Sequence, residues 1–110
     1  MTRVIRNPMT RVIETHNLNW NGIAIMITWE PNWLNLTSGI DMAHLEVETV
    51  SPAKAALPIT ETGYLSHFTA PATVETFGGP KAYVEAWLET ESQAPDWRKA
   101  DLEQRQHSLF

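Results

Sequence analysis

The 110-residue sequence contains no cysteine, and this absence excludes several classes of protein. Without cysteine there is no disulfide scaffold, no thiolate-bound zinc or iron–sulfur centre, and no thiol nucleophile. Charged residues are slightly scarce at 19%, whereas hydrophobic residues make up 43% of the chain. This balance favours a folded domain over a disordered segment, and the length predicts a single hydrophobic core.

Basic residues are outnumbered, with eight Lys and Arg against 13 Asp and Glu, so the formal net charge is −5. Because a broad phosphate-binding surface is normally basic, we do not expect broad nucleic-acid binding. Long apolar runs are also missing: the longest, residues 23–27, is far shorter than the roughly 20 residues of a membrane span. The N-terminal arginines precede no apolar segment, so we expect no secretory signal and a cytoplasmic location.

The clearest local signal is a β-hairpin around Asn21 and Gly22. Both positions of a type I′ turn need a positive φ, which this pair tolerates, and apolar runs flank it. Residues 23–29 then alternate with both faces apolar, which predicts a central, buried strand. This strand is predicted to end at residues 30–32, because Pro31 cannot donate to a ladder. Residues 30–41 are then predicted to form a loop, which its apolar residues Trp33, Leu34 and Leu36 should fold back on the core.

A half-exposed strand is predicted at residues 43–50, and residues 51–79 are predicted to be mostly loop with a short strand at residues 64–68. A helix is predicted to begin at Pro80 and to lie on the sheet, with a second, polar helix from Pro95 to about residue 104. The prediction is therefore α+β: a small antiparallel meander of three to four strands with one packed helix and a C-terminal helix or tail.

Three segments follow from this interpretation. Residues 1–5 (MTRVI) recur at residues 9–13, so residues 1–9 are predicted to be a flexible extension that the fold does not need. Residues 10–104 are predicted to form the single α+β domain. Residues 105–110 are predicted to be an interaction tail.

Enzymatic chemistry has no specific support in the sequence. The histidines His16, His44, His67 and His107 lack zinc-ligand spacing, so we expect no metal and no cofactor. By composition alone, His44, Glu46 and His67 could form a set of two histidines and one carboxylate. Ser66 and His67 are adjacent, so on a strand they point to opposite faces and cannot act as nucleophile and base.

An unusual loop lies within residues 58–68, and two interpretations of it stay open. The hydroxyl and carboxylate groups can satisfy the backbone of a tight turn at Gly63, which gives an ordered structural loop. Alternatively the loop presents a polar recognition surface. Its candidate residues are Thr60, Glu61, Thr62, Gly63, Tyr64 and His67.

The last five residues are Gln106, His107, Ser108, Leu109 and Phe110. This segment resembles the bacterial sliding-clamp-binding motif, from which it departs at His107, where the motif prefers leucine. The resemblance implies an extended tail that enters a groove of the DNA polymerase clamp, with Leu109 and Phe110 as anchors and Gln106 as the polar contact. Alternatively, the two apolar residues pack back on the core of this chain.

A wider resemblance rests on the strings PITETGY at residues 58–64, SHF at residues 66–68, GGPKAYVEAWL at residues 78–88 and the C-terminal SLF. These are similar to a small bacterial family often carried on plasmids and other mobile elements. The resemblance implies a compact cytoplasmic accessory protein and supplies no activity.

Two functional hypotheses follow. In the first, the chain is a non-enzymatic accessory protein of DNA replication, repair or mobile-element maintenance that binds the sliding clamp through its tail. In the second, it is a protein inhibitor or anti-defence factor, of the anti-CRISPR or anti-restriction type, whose acidic surface blocks a host nucleic-acid-binding protein.

Overall fold

The computed structural model describes the chain at residues 3–7, 10–35 and 41–107, with side chains described over residues 13–33 and 42–103. Within these residues, five strands form one antiparallel sheet in chain order. The strands are β1 Arg3–Asn7, β2 Thr10–Trp20, β3 Ile23–Asn35, β4 Asp41–Ser51 and β5 Tyr64–Thr69. The helices of the same part of the chain are α1 Pro71–Thr76, α2 Pro80–Glu91 and α3 Pro95–His107. The predicted α+β class is confirmed, with β2–β5 as the meander.

The β2–β3 hairpin forms where the sequence predicts it. Asn21 has a φ of 48° and Gly22 a φ of 79°, as a type I′ turn requires. Trp20 pairs with Ile23 across this turn, and the ladder continues outward from there. Strand β3 lies third in the sheet order, so the prediction that it is central is confirmed.

The predicted loop at residues 30–41 is wrong for its described part, residues 30–35 and 41, which are strand. Strand β3 continues to Asn35 and β4 begins at Asp41, with a break in register between Glu30 and Leu34. Proline is tolerated in a strand at such an irregularity, because no regular ladder bond is required of it there. Trp33 consequently contacts His44 and Phe68 rather than the core. Residues 36–40 lie outside the described residues.

The hydrophobic core lies between one face of the sheet and the helices. Its sheet residues alternate along β2, β3 and β4, as expected for strands buried on one side. The loop before β5 contributes Leu57, α1 contributes Val74, and α2 contributes Val84 and Leu88. The buried sheet residues are Leu18, Trp20, Ile25, Ile27, Trp29, Ala43, Leu45 and Val47.

Helix α2 begins at Pro80 as predicted and packs on the sheet through Val84 and Leu88. Trp87, on the same helix, is only partly buried. Glu89 is exposed, and its carboxylate accepts a hydrogen bond from the Trp20 indole N–H at 3.3 Å. Helix α1 is absent from the sequence prediction, and α3 continues to His107, past its predicted end.

The N-terminal residues 3–7 pair with β2 as an edge strand. Whether residues 1–9 can be removed without loss of stability stays a prediction. Among the residues described, no helix is long and apolar enough to cross a membrane.

Candidate functional site

The sheet has a second face, turned away from the core, which we call the open face. On β4 it carries His44, Glu46 and Glu48, and on β5 it carries their register partners. His44 pairs with Phe68, Glu46 with Ser66, and Glu48 with Tyr64. Strand alternation places these six side chains together because each occupies every second position. The open face is therefore a continuous surface of polar and aromatic groups from two paired strands.

Three aromatic rings form a cluster on the open face. The Phe68 ring stacks on the His44 imidazole with centroids 4.5 Å apart, and Trp33 meets Phe68 edge-on at 4.8 Å. Despite these contacts, Trp33 is 36% exposed and Phe68 47% exposed. Large aromatic side chains that stay exposed as a contiguous patch typically mark an interaction surface.

A hydrogen bond fixes the orientation of the His44 ring. The His44 Nε2 lies 2.7 Å from the Ser66 Oγ, and its Nδ1 lies 3.6 Å from a Glu46 carboxylate oxygen. This order of hydroxyl, imidazole and carboxylate resembles a hydrolytic triad, but 3.6 Å is too long for a hydrogen bond to the orienting acid. What the geometry does achieve is to hold the imidazole plane against Phe68.

The charge of this region has one sign. Strands β3, β4 and β5 contain no Lys or Arg, whereas they carry Glu30, Asp41, Glu46 and Glu48. Partial burial, and next the Glu46 carboxylate, raise the pKa of Tyr64 above its ordinary value. Like an ordinary tyrosine, whose pKa is about 10, Tyr64 is protonated at neutral pH and its hydroxyl can donate a hydrogen bond. The Glu46 and Glu48 carboxylates give this part of the open face a negative charge, which attracts cations and repels phosphates.

Hydrogen bonds within the predicted recognition loop, and from the loop to β4, hold it in place. The Thr60 hydroxyl donates to the Tyr64 carbonyl oxygen at 2.7 Å, and the Thr62 hydroxyl does so at 3.2 Å. Gly63 is buried, and its carbonyl oxygen accepts the Thr49 N–H at 2.8 Å. These contacts match the structural interpretation of the loop. Glu61 and Thr62 are both exposed, and a role of the loop in recognition stays a prediction.

His67 lies on the opposite face of β5 from Tyr64, so the six predicted recognition residues do not form one surface. Its Nε2 lies 3.1 Å from the Tyr83 hydroxyl, and its ring is 4.8 Å from that of Trp87. His67 also faces away from His44 and Glu46, so the considered set of two histidines and one carboxylate does not converge. In the described part of the chain, no group of three or more His, Cys, Asp or Glu is placed to hold a metal.

The environment of His67 makes stability depend on pH. Burial lowers the pKa of His67 in the folded state below its ordinary value of about 6.5, so the unfolded chain binds the proton more readily. Stability is therefore expected to fall as the pH drops from about 7.5 to about 5. Urea unfolding of the wild type and His67→Gln across this range measures the effect. An equal pH dependence of the two proteins would contradict it.

The C-terminal motif lies mostly beyond the described side chains. The backbones of Gln106 and His107 belong to the last turn of α3. Ser108, Leu109 and Phe110 lie outside the described residues, so clamp binding and core packing of the tail both stay predictions.

A comparison with protein-family models gives the family of this domain. A family model described as the KlcB third domain matches residues 13–97, well over half of the chain. The chain belongs to this family. No curated protein and no solved structure was found to match.

KlcB is a plasmid-associated family, which confirms the coarser prediction of a plasmid or mobile-element family. The KlcB third-domain match includes the aromatic cluster and the acidic residues of β4. It ends before the C-terminal motif at residues 106–110. The open face thus lies within the residues that the family model matches, whereas the motif lies outside them.

Sequence reasoning missed the open face as a site, although one signal was available. Along β4, the apolar residues Ala43, Leu45 and Val47 alternate with His44, Glu46 and Glu48, which predicts that the three polar side chains share an outer face. Pairing itself joins residues 22 positions apart, such as His44 and Ser66, and no local pattern reveals it.

Proposed function

We propose that this chain is a non-enzymatic, plasmid-associated accessory protein that binds a basic surface of a partner protein through its open face. The observation that supports this most strongly is the exposed cluster of Trp33, His44 and Phe68, set beside Glu46 and Glu48 on strands without a basic residue. Aromatic side chains supply apolar contact area, and the carboxylates select a cationic partner.

The partner class that fits this surface is a nucleic-acid-binding protein. Such proteins hold phosphates in basic grooves, and an acidic surface can occupy the same groove in place of nucleic acid. A nucleic acid would itself be repelled by Glu46 and Glu48, so direct base stacking on Phe68 is disfavoured. For a plasmid-associated cytoplasmic protein, this chemistry supports the inhibitor or anti-defence function.

Affinity capture from host cells with a matched pair of double variants tests the proposal. Phe68→Ala with Glu46→Gln removes one exposed aromatic ring and one charge from the open face. Phe77→Ala with Glu75→Gln removes the same two groups from α1 and the turn that follows it, where both are also exposed. We expect a basic partner to be recovered by the wild type and the Phe77 variant, and about tenfold less by the Phe68 variant.

Equal recovery with both double variants would contradict docking on the open face. Recovery that does not weaken when salt is raised would contradict a charge-selected partner, because exposed charges are screened. Covalent labelling of Ser66 by a fluorophosphonate probe would contradict the non-enzymatic part of the proposal.

A second candidate function is clamp tethering, favoured by the match of Gln106, Ser108, Leu109 and Phe110 to the sliding-clamp motif. It does not compete with docking on the open face, because the motif lies outside the domain matched by the family. One chain could therefore bind the clamp through its tail and a second protein through its sheet.

A peptide of residues 101–110 is expected to bind a purified bacterial sliding clamp with a Kd on the order of micromolar, since five residues make a small interface. Phe110→Ala or Leu109→Ala should each cost about 2 kcal/mol of binding free energy, because buried apolar anchors dominate such contacts. Calorimetric titration measures these values.

His107→Leu is expected to tighten this binding, because it adds apolar area at the position where the motif prefers leucine. Ser108→Ala serves as the control with a small effect. The absence of saturation below about 1 mM, or binding unaffected by Phe110→Ala, would rule out the tethering hypothesis.

A further inference from the structure

We infer, on the basis of the proposed function, that the partner contributes an extended, arginine-bearing segment that adds to the outer edge of β5 as a further strand. β5 is the last strand of the sheet and pairs with β4 alone among the described strands, so none of them occupies its outer edge. An unpaired edge offers backbone donors and acceptors to an added strand.

The hydrogen-bond pattern shows which backbone groups face outward. Glu48 pairs with Tyr64, and the Thr49 N–H donates to the carbonyl oxygen of Gly63. In an antiparallel ladder, facing residues alternate between pairs that exchange backbone hydrogen bonds and pairs that do not. Because Thr49 and Gly63 are hydrogen-bonded, the neighbouring pair of Glu48 and Tyr64 is not, so the N–H and C=O of Tyr64 point away from β4. Alternation then gives Ser66 and Phe68 the same outward direction.

The loop before β5 closes one end of this edge. The hydroxyls of Thr60 and Thr62 lie at the outward-facing backbone of Tyr64, where they bond its carbonyl oxygen and, from Thr62, its N–H at 3.4 Å. An added strand is therefore blocked at Tyr64 and directed to Ser66 and Phe68. The threonines thus set the register of the added strand, which is a use for this loop distinct from direct recognition.

The side chains beside the edge select arginine. Alternate side chains of an added strand would lie on the open face next to Tyr64, Ser66 and Phe68. A guanidinium can stack on the exposed Phe68 ring and extend toward the carboxylates of β4, which lies about 10 Å from the added strand. Arginine serves both contacts better than lysine, because its planar group stacks and pairs with a carboxylate through two bonds.

A defined probe tests the inference without the natural partner: a labelled peptide of alternating arginine and valine, titrated against the full chain by fluorescence anisotropy. Ser66→Pro removes an outward N–H, a change that edge strands tolerate. Ser66→Ala removes only the hydroxyl, so the difference between the two variants isolates the backbone group. A peptide methylated on its backbone nitrogens keeps its charge but cannot donate hydrogen bonds to the outward carbonyl oxygens of β5, so it cannot complete a ladder.

Edge addition predicts that Ser66→Pro binds the peptide at least about tenfold more weakly than Ser66→Ala, and that the methylated peptide fails to bind. If circular dichroism shows that Ser66→Pro does not fold, the loss of binding on methylation of the peptide alone tests edge addition. Lysine in place of arginine should weaken binding several-fold.

The contrary outcomes separate this inference from the proposed function. Equal binding by the proline and alanine variants, together with binding of the methylated peptide, would overturn edge addition while leaving docking on the open face intact. No saturable binding of the arginine peptide below about 1 mM would also overturn it. The capture experiment with the Phe68 and Phe77 variants decides the proposed function independently of either result.

Discussion

Replacing Gly63 with alanine is expected to lower the free energy of unfolding by about 3 kcal/mol or more. A Cβ at this position would lie 2.4 Å from the Thr49 hydroxyl oxygen and 2.8 Å from the backbone of Lys54. The φ of Gly63 is +80°, a region that costs an L-residue roughly 1–2 kcal/mol, and the steric clash adds a comparable amount. Urea unfolding measures the loss.

Gly22→Ala is the matched control for this prediction. Its φ of +79° is almost the same, but nothing lies within 4 Å of the added Cβ. Only the backbone cost of about 1–2 kcal/mol should therefore appear. Equal losses at the two glycines would show that the packing of the loop against Thr49 and Lys54 is wrong, and with it the position of the β5 edge.

Leu88→Ala is expected to cost about 2–5 kcal/mol, because Leu88 is completely buried in the core and its truncation leaves a cavity. Glu85→Ala on the exposed side of the same helix should stay within about 0.5 kcal/mol. Chemical denaturation of both variants compares them directly. A Leu88 variant as stable as the Glu85 variant would contradict the described orientation of α2 on the sheet.

The parts of the fold that sequence reasoning predicted are those with strong local signals. Asn21 and Gly22 specify a turn because of the φ values they tolerate, and alternation along residues 23–29 specifies a strand. Pro80 marks the start of α2 because a helix does not need the N–H of its first residue.

The failures have equally specific causes. Pro31 was interpreted as the end of β3, whereas an irregularity in the ladder accommodates it and the strand continues. Helix α1 has six residues, too few for a recognisable apolar period. The position of Trp33 depended on this same irregularity, so its membership in the open-face cluster could not be predicted.

Only part of the candidate site could be predicted from the sequence, for a different reason. Alternation indicates that Ser66 and His67 face opposite ways, and the structure confirms this, with Ser66 bonded to His44 and His67 next to Tyr83. Which strand lies beside which is a matter of long-range register, and the cluster of Phe68 with His44 exists only because β4 and β5 pair in one register.

The most direct test of the central claim, that the open face binds a basic surface used for nucleic acid, is a displacement measurement. The basic protein recovered by capture is loaded with fluorescently labelled duplex DNA and titrated with the chain. We predict saturable release of DNA by the wild type and by Phe77→Ala with Glu75→Gln, and about tenfold weaker release by Phe68→Ala with Glu46→Gln. Release that is absent, or equal for the two double variants, would contradict the claim.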